Sequence, residues 1–427
     1  MDTMSDNKAT ISSGKLNFNI DMELSTSYRD TFLEQVFSNS CYVVDEIRLD
    51  LLYISNFVYA ADRRISRSNA LDAWTREIQL TIPVICLSHW NRVRNLLNEL
   101  LNFLTGDIWE INFTDRKKNE RESKLFEFVE NQPEYFYSQV CMFSGGLDSF
   151  IGSIDILRGQ TTSNTLFVSH YGGGSKGTKG YQDLLVKEMI NHFSSLSLSN
   201  FFSFYSAAMK TPTGQDEPTT RSRSFMFFAH AIALTPDNAK LIIPENGFVS
   251  LNIPLYFSRN GSSSTRTTHP FYMNLFQKIL NILGINVRLE NPYQFLTKGQ
   301  MMNNCLDKEF LSRNIINTMS CSHPEQARWS GCSDPIHCGY CIPCTIRRAS
   351  INEFCSPDPT LYRYLNYQNK IGKETHNALR IALQKYEKSN HFMVVQRSGS
   401  LISDIKKYVS VYEEGMEEIR RLLYEGE

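Results

Sequence analysis

The fold of this chain is decided by the stretch Cys141-Met-Phe-Ser-Gly-Gly-Leu-Asp-Ser149. The apolar run from Tyr137 to Phe143 predicts a buried strand, and the amphipathic run that Ser149 opens predicts a helix. Between them, two glycines allow backbone N–H groups to approach and curl around an anion. The start of the helix adds unpaired N–H groups and the positive end of its dipole. A strand, this turn and a helix together favour binding of the phosphates of a nucleotide.

The turn differs from the common kinase-type phosphate loop. That loop carries Lys-Ser or Lys-Thr after its second glycine, and no lysine lies near residues 144–149. Ser144 and Ser149 instead supply hydroxyl donors for an anion. A glycine-containing turn without a ligand is the alternative interpretation, and the agreement between the motif and its context argues against it.

Strand and helix patterns alternate after this turn. Strands are predicted at 166–170, 201–205, 241–243 and 287–289, and helices at 181–193, 223–234 and 271–283. The alternation predicts an α/β fold with a doubly wound, Rossmann-like parallel sheet. In such sheets ligands bind at the carboxyl ends of the strands, where the glycine turn and the loop after His170 would both lie.

The rest of the chain divides into further predicted units. We expect residues 1–15 to be disordered, residues 16–113 to form an extra N-terminal α/β domain able to dock a partner, and residues 114–136 to be a linker. The parallel-sheet domain would span 137–320, a zinc-binding segment 321–355, and a helical C-terminal region 356–427.

Within the N-terminal unit, alternating apolar residues predict strands at 47–51 and 78–82, and another strand at 107–113. A helix is predicted from Ser88 to its stop at Gly106. Asp50 and Asp62, with the arginines that follow Asp62, are interpreted as solvated charges.

Composition excludes some classes of function. The chain has 427 residues and a formal net charge of −1, so no global basic field favours nucleic acid as a direct substrate. Its N-terminal residues are polar, without an apolar signal core, and no apolar run approaches membrane-spanning length. We therefore expect a soluble, cytoplasmic protein with no membrane partner.

The cysteines indicate a metal site. Of the ten in the chain, Cys338-Gly-Tyr-Cys341-Ile-Pro-Cys344 places three thiols at intervals of three residues. Cys321 and Cys332 compete to be the fourth ligand, and Cys321 is preferred because Cys332 lies in an insertion-like stretch. Four thiolates suit a closed, structural Zn²⁺ site. An iron–sulfur cluster and free thiols are the alternatives.

The phosphate-type turn and the cysteine motif occur together in a known family. SGGLDS after a strand resembles the PP-loop of the ATP pyrophosphatases, and its combination with the late cysteines is similar to the QueC-type 7-cyano-7-deazaguanine synthases over roughly residues 137–355. Tyr171-Gly172, Arg223 with its following phenylalanines, and Leu296-Thr-Lys298 also resemble family segments. The resemblance implies a PP-loop (HUP-type) sheet.

The sequence also departs from the family. Gly173-Gly-Ser-Lys176 stands where the family has Gln-Arg-His, and Glu245-Asn-Gly-Phe-Val-Ser-Leu-Asn252 with the polar loop Ser262 to His269 replaces its substrate segment. The ATP side is kept and the acceptor side is rebuilt. Together with the extra N-terminal unit, this is similar to the QueC-like proteins of bacterial anti-phage defence operons.

The resemblance implies an AMP-forming ligase that uses ATP and Mg²⁺. A 7-deazaguanine carboxylate would be adenylated and passed to an amine, either ammonia or an amine of a partner protein from the same operon. The ATP-binding residues would be Ser144, Gly145, Gly146, Leu147, Asp148, Ser149, His170 and Tyr171. Catalytic roles would fall to Ser144, Asp148, Ser149, Arg223 and Lys298, with Asp148 organising the turn or holding Mg²⁺.

Two other classes of function stay open. A PP-loop enzyme could be a tRNA thiolation enzyme, which predicts bound iron and tRNA; the near-neutral charge and the dense cysteine motif argue against it. A non-catalytic ATP-binding scaffold is the second. The intact Ser144, Asp148 and Ser149 argue against it, because a scaffold has no need of the whole turn.

Overall fold

The structure is a computed structural model that describes residues 7–14, 16–38, 45–130, 137–159, 164–172, 177–209, 216–255, 266–326, 334–365, 367–401 and 403–424. The strands are β1 (Lys8–Ser13), β2 (Leu16–Asp21), β3 (Tyr28–Asp30), β4 (Glu77–Val84), β5 (Ile108–Asp115), β6 (Gln139–Met142), β7 (Thr165–Tyr171), β8 (Phe201–Ala208), β9 (Lys240–Ile242) and β10 (Arg288–Glu290). The helices are α1 (Phe32–Ser38), α2 (Glu46–Arg64), α3 (Leu87–Thr105), α4 (Glu120–Glu130), α5 (Leu147–Arg158), α6 (Thr178–His192), α7 (Arg223–Ala233), α8 (Gly247–Ser250), α9 (Pro270–Leu283), α10 (Lys298–Asn304), α11 (Lys308–Asn314), α12 (Ile342–Phe354), α13 (Lys370–Tyr386), α14 (His391–Ser398) and α15 (Ile405–Tyr424).

The larger sheet has six strands in the order β10-β9-β6-β7-β8-β3. The first five are parallel, and β3 is antiparallel at the edge. From β6 the chain moves outward through β7 and β8, then returns to place β9 on the other side of β6. The predicted mixed α/β fold with a parallel sheet is confirmed. Its strand order reverses between β6 and β9, where open α/β sheets bind their ligands.

The parallel sheet is buried on both faces, as its helical crossovers require. Alternate residues of β6 enter different cores: Val140 and Met142 pack with α2, α7 and α9, whereas Cys141 packs with α5, α6 and α11. This explains why β6 and β7 are continuous apolar runs. It also leaves the carboxyl ends of the strands as the place where polar side chains gather.

A second sheet of four strands has the order β2-β1-β4-β5. The prediction of disorder is wrong for residues 8–13, because β1 lies inside this sheet between β2 and β4. Ala9 and Ile11 are fully buried, and Ile11 is opposite Leu80 of β4. Residues 8–13 are ordered because they pair with β4, about seventy residues away in the chain, and the local sequence does not reveal this pairing.

The strand predicted at 47–51 is wrong, since these residues belong to the nineteen-residue helix α2. Asp45 caps this helix by accepting a hydrogen bond from the Arg48 N–H (2.7 Å). The helix is buried on nearly all sides, so its apolar positions carry no clean helical period. The predicted strands at 78–82 and 107–113 correspond to β4 and β5, and Gly106 ends α3 with a positive φ of 74°.

Residues 16–113 are not a separate unit. They contribute β3 to the larger sheet, and α2 packs on α7. The segment predicted as a linker holds the end of β5, whose last residue is Asp115, and helix α4, while residues 131–136 lie outside the described residues.

Asp50 and Asp62 are fully buried, so their interpretation as solvated charges is wrong. Asp50 accepts hydrogen bonds from the backbone N–H groups that precede α3. Asp62 pairs with Arg76 (2.6 Å) and accepts from the backbone and hydroxyl of Ser222, the residue before α7. Burial of these carboxylates is tolerated because each is fully hydrogen-bonded.

Candidate functional site

The glycine turn follows β6 and leads directly into α5. Gly145 has a φ of +80°, and Gly146 is the N-cap of the helix. The Ser144 hydroxyl accepts a hydrogen bond from the Gly146 N–H (3.2 Å) and lies 3.1 Å from the Ser149 hydroxyl, which donates to the Gly146 carbonyl (3.0 Å). The helix begins at Leu147, two residues earlier than the sequence predicts, so Asp148 and Ser149 lie in its first turn.

A segment far along the chain holds the turn from outside. The Met319 N–H donates to the Gly145 carbonyl (2.9 Å), and the Ser320 hydroxyl accepts from the Leu147 N–H (3.5 Å). Sequence reasoning missed both residues. The one signal that could have found them is position, because Ser320 directly precedes the candidate metal ligand Cys321.

Gln182 of α6 joins the turn to the end of β7. Its side-chain amide donates to the Ser144 carbonyl (3.0 Å) and to the His170 carbonyl (3.1 Å). The residue is 2% exposed, and within the described chain its Oε1 atom has no hydrogen-bond partner. A buried acceptor without a partner favours a donor from a ligand or water at this position.

Asp148 and Lys298 form an ion pair at the place where the strand order reverses. Lys298 Nζ lies 2.7 Å from Asp148 Oδ1, and each side chain is 8% exposed. The other carboxylate oxygen, Oδ2, accepts from the backbone N–H (3.1 Å) and side-chain amide (2.6 Å) of Asn246, which follows β9. The turn after β6 and the loop after β9 are therefore tied together, as the sheet topology predicts.

Glu245 adds a second carboxyl group to this cluster. Burial and the nearby Asp148 raise its pKa well above the ordinary range, and the positive charge of Lys298 opposes that rise. The sequence placed Glu245 in the rebuilt acceptor segment without giving it a role. The cluster of Asp148, Glu245 and Lys298 contains two carboxyl groups and one ammonium group, and is therefore a candidate site for proton transfer near neutral pH.

The helix that carries Lys298 is braced by the C-terminal helix α15. Thr297 caps α10 in a capping box with Gln300, and its hydroxyl donates to the buried carboxyl of Glu418. The Ser350 hydroxyl donates to the second oxygen of Glu418 (2.9 Å). Burial raises the pKa of Glu418 to about 7, despite these hydrogen bonds. The predicted C-terminal helical region therefore contacts the site through α10.

His170, Tyr171 and Arg223 lie at the ends of β7 and α7. The His170 ring bonds the Ser206 carbonyl (2.9 Å), and burial, with the charge of Arg223, lowers its pKa to about 3. His170 is thus a neutral imidazole donating to that carbonyl, and only its backbone carbonyl meets the turn, through Gln182. Tyr171 packs on Tyr205 (ring centroids 5.7 Å). Arg223 is exposed, and the hydrogen bonds of the described chain do not join it to the turn.

The four cysteines Cys321, Cys338, Cys341 and Cys344 lie together, with sulfur atoms all within 4.8 Å of one another. The Cys321–Cys341 and Cys338–Cys344 sulfur distances are both 3.9 Å. A tetrahedral zinc ion with bonds of about 2.3 Å would separate its sulfurs by about 3.8 Å. Backbone N–H groups point at two of these sulfurs, as thiolates require. The cluster fits a metal ion such as Zn²⁺.

Some of the segments named in the sequence analysis fall outside the described residues. These are Gly173–Lys176, the competing ligand Cys332, and residues 262–265 of the polar loop Ser262 to His269. Thr268 and His269, at the end of that loop, are described and have structural contacts. The Thr268 hydroxyl lies 2.7 Å from that of Ser250, and His269 is the N-cap of α9.

Comparison of the chain with models of protein families, with curated proteins and with solved structures gives no match. Within the described ranges, no helix combines the length and the apolar character needed to cross a bilayer. A functional assignment therefore depends on the residues of the site and on the sequence motifs.

Proposed function

We propose that this protein is an ATP-dependent, AMP-forming ligase of the QueC-like kind that adenylates the carboxylate of a 7-deazaguanine acid and passes it to an amine. The observation that carries the proposal is the turn at residues 144–149. It joins a glycine turn, a helix N-terminus and two hydroxyl groups at the reversal of strand order, beside the Asp148–Lys298 pair. Each feature favours an anionic nucleotide.

In the first step the substrate carboxylate would attack the α-phosphorus of ATP. A new O–P bond forms, the bond from the α-phosphorus to the bridging oxygen breaks, and pyrophosphate leaves with the electron pair. Backbone N–H groups and the hydroxyls of Ser144 and Ser149 would hold the leaving pyrophosphate. Arg223 would add charge from α7. Mg²⁺ would accompany the phosphates. Asp148 is already bound by Lys298 and Asn246, so this carboxylate is better suited to organise the turn than to hold the ion.

In the second step an amine attacks the acyl carbon of the adenylate. The C–N bond forms, the bond to the AMP oxygen breaks, and the amine must lose a proton. Glu245 is suited to accept that proton because its raised pKa gives it a basicity matched to neutral pH. The amine would be ammonia or an amine of a partner protein encoded with this chain in a defence operon. Zn²⁺ at the four cysteines would be structural, since four thiolates leave no open position.

Exchange of labelled pyrophosphate into ATP tests the first step. With 7-carboxy-7-deazaguanine present we expect exchange, and Ser149→Ala should lower its rate by about tenfold or more, because the variant removes a donor to the pyrophosphate. Ser153→Ala is the matched control: its buried hydroxyl donates to the Ser149 carbonyl one turn further along α5 and does not face the turn. Nucleotide binding without exchange would indicate a scaffold, and co-purified iron and tRNA would indicate thiolation.

Mass spectrometry of operon partners co-expressed with the chain identifies the acceptor. A partner polypeptide that gains the mass of the deazaguanine acyl group identifies a protein amine. Accumulation of a free product with no partner modified would reject conjugation and leave ammonia as the amine. That product would be the deazaguanine amide, or the nitrile formed when a second ATP activates the amide oxygen and AMP leaves with that oxygen.

A further inference from the structure

Arg347 is a fully buried arginine whose hydrogen-bond partners among the described residues are all neutral. It lies on α12, one helical turn after Cys344. Its guanidinium donates to the hydroxyls of Thr318 (2.7 Å) and Thr360 (3.2 and 3.3 Å) and to the Ile315 carbonyl (2.7 Å). All of these acceptors are neutral, and within the described parts of the chain no carboxylate forms an ion pair with it.

A buried charge of this kind is costly unless a negative charge compensates it. Arginine stays protonated in proteins, so loss of its proton cannot relieve the cost. The polar groups around Arg347 satisfy its hydrogen bonds and leave its charge unbalanced. The compensating negative charge must therefore come from groups that do not bond it directly, and two candidates are the cysteine cluster on the same helix and an anion at the glycine turn.

Ser320 lies between Arg347 and the glycine turn. Its hydroxyl is 3.5 Å from a guanidinium nitrogen on one side and 3.5 Å from the Leu147 N–H on the other. Both distances are at the long end of the range for a hydrogen bond. The two long contacts keep Ser320 beside the turn, and because both are weak its hydroxyl hydrogen can rotate toward an anion at the N-terminus of α5.

We propose that Ser320 is a further anion-contacting residue of the turn and that Arg347 is the buried cation that positions it. The inference rests on the proposed function, because the anion in question is the diphosphate held at residues 144–149. Ser320 would donate its hydroxyl hydrogen to a diphosphate oxygen and free the Leu147 N–H to do the same. The charge of Arg347, which is fully buried, would add a longer-range attraction for the same anion.

With a divalent ion bound, the cysteine cluster would supply part of the negative charge that compensates Arg347 before the diphosphate binds. Four thiolates around a divalent ion would carry a net charge of −2. Two of these cysteines lie close before Arg347 in the chain, since Cys341 is the N-cap of α12 and Cys344 is one turn before Arg347. The His337 ring also accepts from the Ser320 N–H (3.2 Å), which fixes the backbone of Ser320 beside the cluster. Diphosphate and metal-bound thiolates would thus face the same cation from two sides.

Binding of inorganic pyrophosphate to the full, zinc-loaded chain, measured by calorimetry, tests the proposal. Ser320→Ala should weaken binding by about tenfold, the effect of one lost hydrogen bond to a charged group. The matched control is Thr318→Val, which removes another hydroxyl contact of the same guanidinium nitrogen; the Thr318 hydroxyl donates to the Ile315 carbonyl. The affinity of this variant should stay within about twofold of the parent.

The sign of the Ser320→Ala effect separates the two roles of this residue. If Ser320 only capped the Leu147 N–H, its loss would free that donor, and pyrophosphate would bind equally well or more tightly. That result would overturn the inference. Failure of the parent chain to bind pyrophosphate at all would reject the proposed function instead. Arg347→Lys keeps the positive charge but loses the planar set of guanidinium donors, so a folded variant should bind pyrophosphate more weakly. The test with Ser320→Ala does not depend on whether the Arg347 variant folds.

Discussion

The hydroxyl of Thr297 donates to the carboxyl of Glu418, so the last long helix of the chain holds the cap of the helix on which Lys298 stands. The two residues are 121 positions apart. Glu418 is 4% exposed, and its second oxygen accepts from Ser350. Because burial raises the pKa of this carboxyl to about 7, the contact also makes the stability of the protein depend on pH.

The first prediction concerns Glu418→Gln. A folded-state pKa of about 7 lies above the ordinary glutamate value of 4.5, so the stabilisation is complete below pH 4.5 and is lost as pH rises through 7. The variant keeps an acceptor for Thr297 but cannot ionise. We expect its stability relative to the parent to increase by about 1–3 kcal/mol between pH 5 and pH 8.

Urea unfolding of the metal-loaded chain at several pH values measures this difference. Glu417→Gln, which changes the neighbouring and more exposed carboxyl of the same helix, is the control and should keep the pH dependence of the parent. A Glu418→Gln variant whose unfolding free energy runs parallel to that of the parent across the range would show that Glu418 is ionised throughout.

The second prediction concerns Glu245→Gln and separates the two proposed steps. The variant should retain pyrophosphate exchange, since adenylation of a carboxylate releases no proton. It should lose amide formation by about a hundredfold, because the amine has no acceptor for its proton. In the parent, amide formation should rise with pH as Glu245 ionises, above the ordinary range for a glutamate. Equal loss of both steps would assign Glu245 to the charge balance of the Asp148–Lys298 pair.

The sequence predicts those parts of the fold and the site whose information is local. The glycine turn, the alternating strands and helices, and the Cys338–Cys344 motif are all contained in short segments, and each corresponds to a feature of the structure. The strand predicted at 47–51 failed because α2 is buried on nearly all sides, which removes the polar face by which a helix is recognised.

The rest of the site depends on contacts between distant residues. Ser320 meets Leu147 across 173 positions, and Lys298 meets Asp148 across the reversal of strand order. No local pattern marks either pair. Likewise, the sequence of β1 has the polar composition of a disordered terminus, and its order comes from pairing with the distant strand β4. Burial of Asp50 and Asp62 follows from the same cause, because their hydrogen-bond donors come from other elements.

The third prediction is that the metal supports the turn as well as the C-terminal region. The chain should contain about one zinc ion per molecule. Cys338→Ser should lose the metal and weaken pyrophosphate binding, because Cys321 follows the two residues, Met319 and Ser320, that hold the turn. Elemental analysis and calorimetry measure both effects.

Cys355→Ser is the control for that variant, since Cys355 is a partly exposed thiol outside the cluster. It should retain both metal and affinity. Iron in place of zinc would favour the iron–sulfur alternative. A metal-free Cys338→Ser variant that still binds pyrophosphate as the parent does would show that the turn is held without the cluster.

The last prediction concerns Gly145→Ala. Gly145 has a φ of +80°, which costs an alanine about 1–2 kcal/mol, and the added Cβ would lie 2.9 Å from the side chain of Gln182. Gly284→Ala is the matched control: its φ is +77°, and its Cβ would meet nothing within 4 Å. Both variants should lose similar backbone stability. Only Gly145→Ala should also displace Gln182, break its hydrogen bonds to the Ser144 and His170 carbonyls, and weaken pyrophosphate binding. Equal affinities of the two variants for pyrophosphate would mean that Gln182 does not set the shape of the turn.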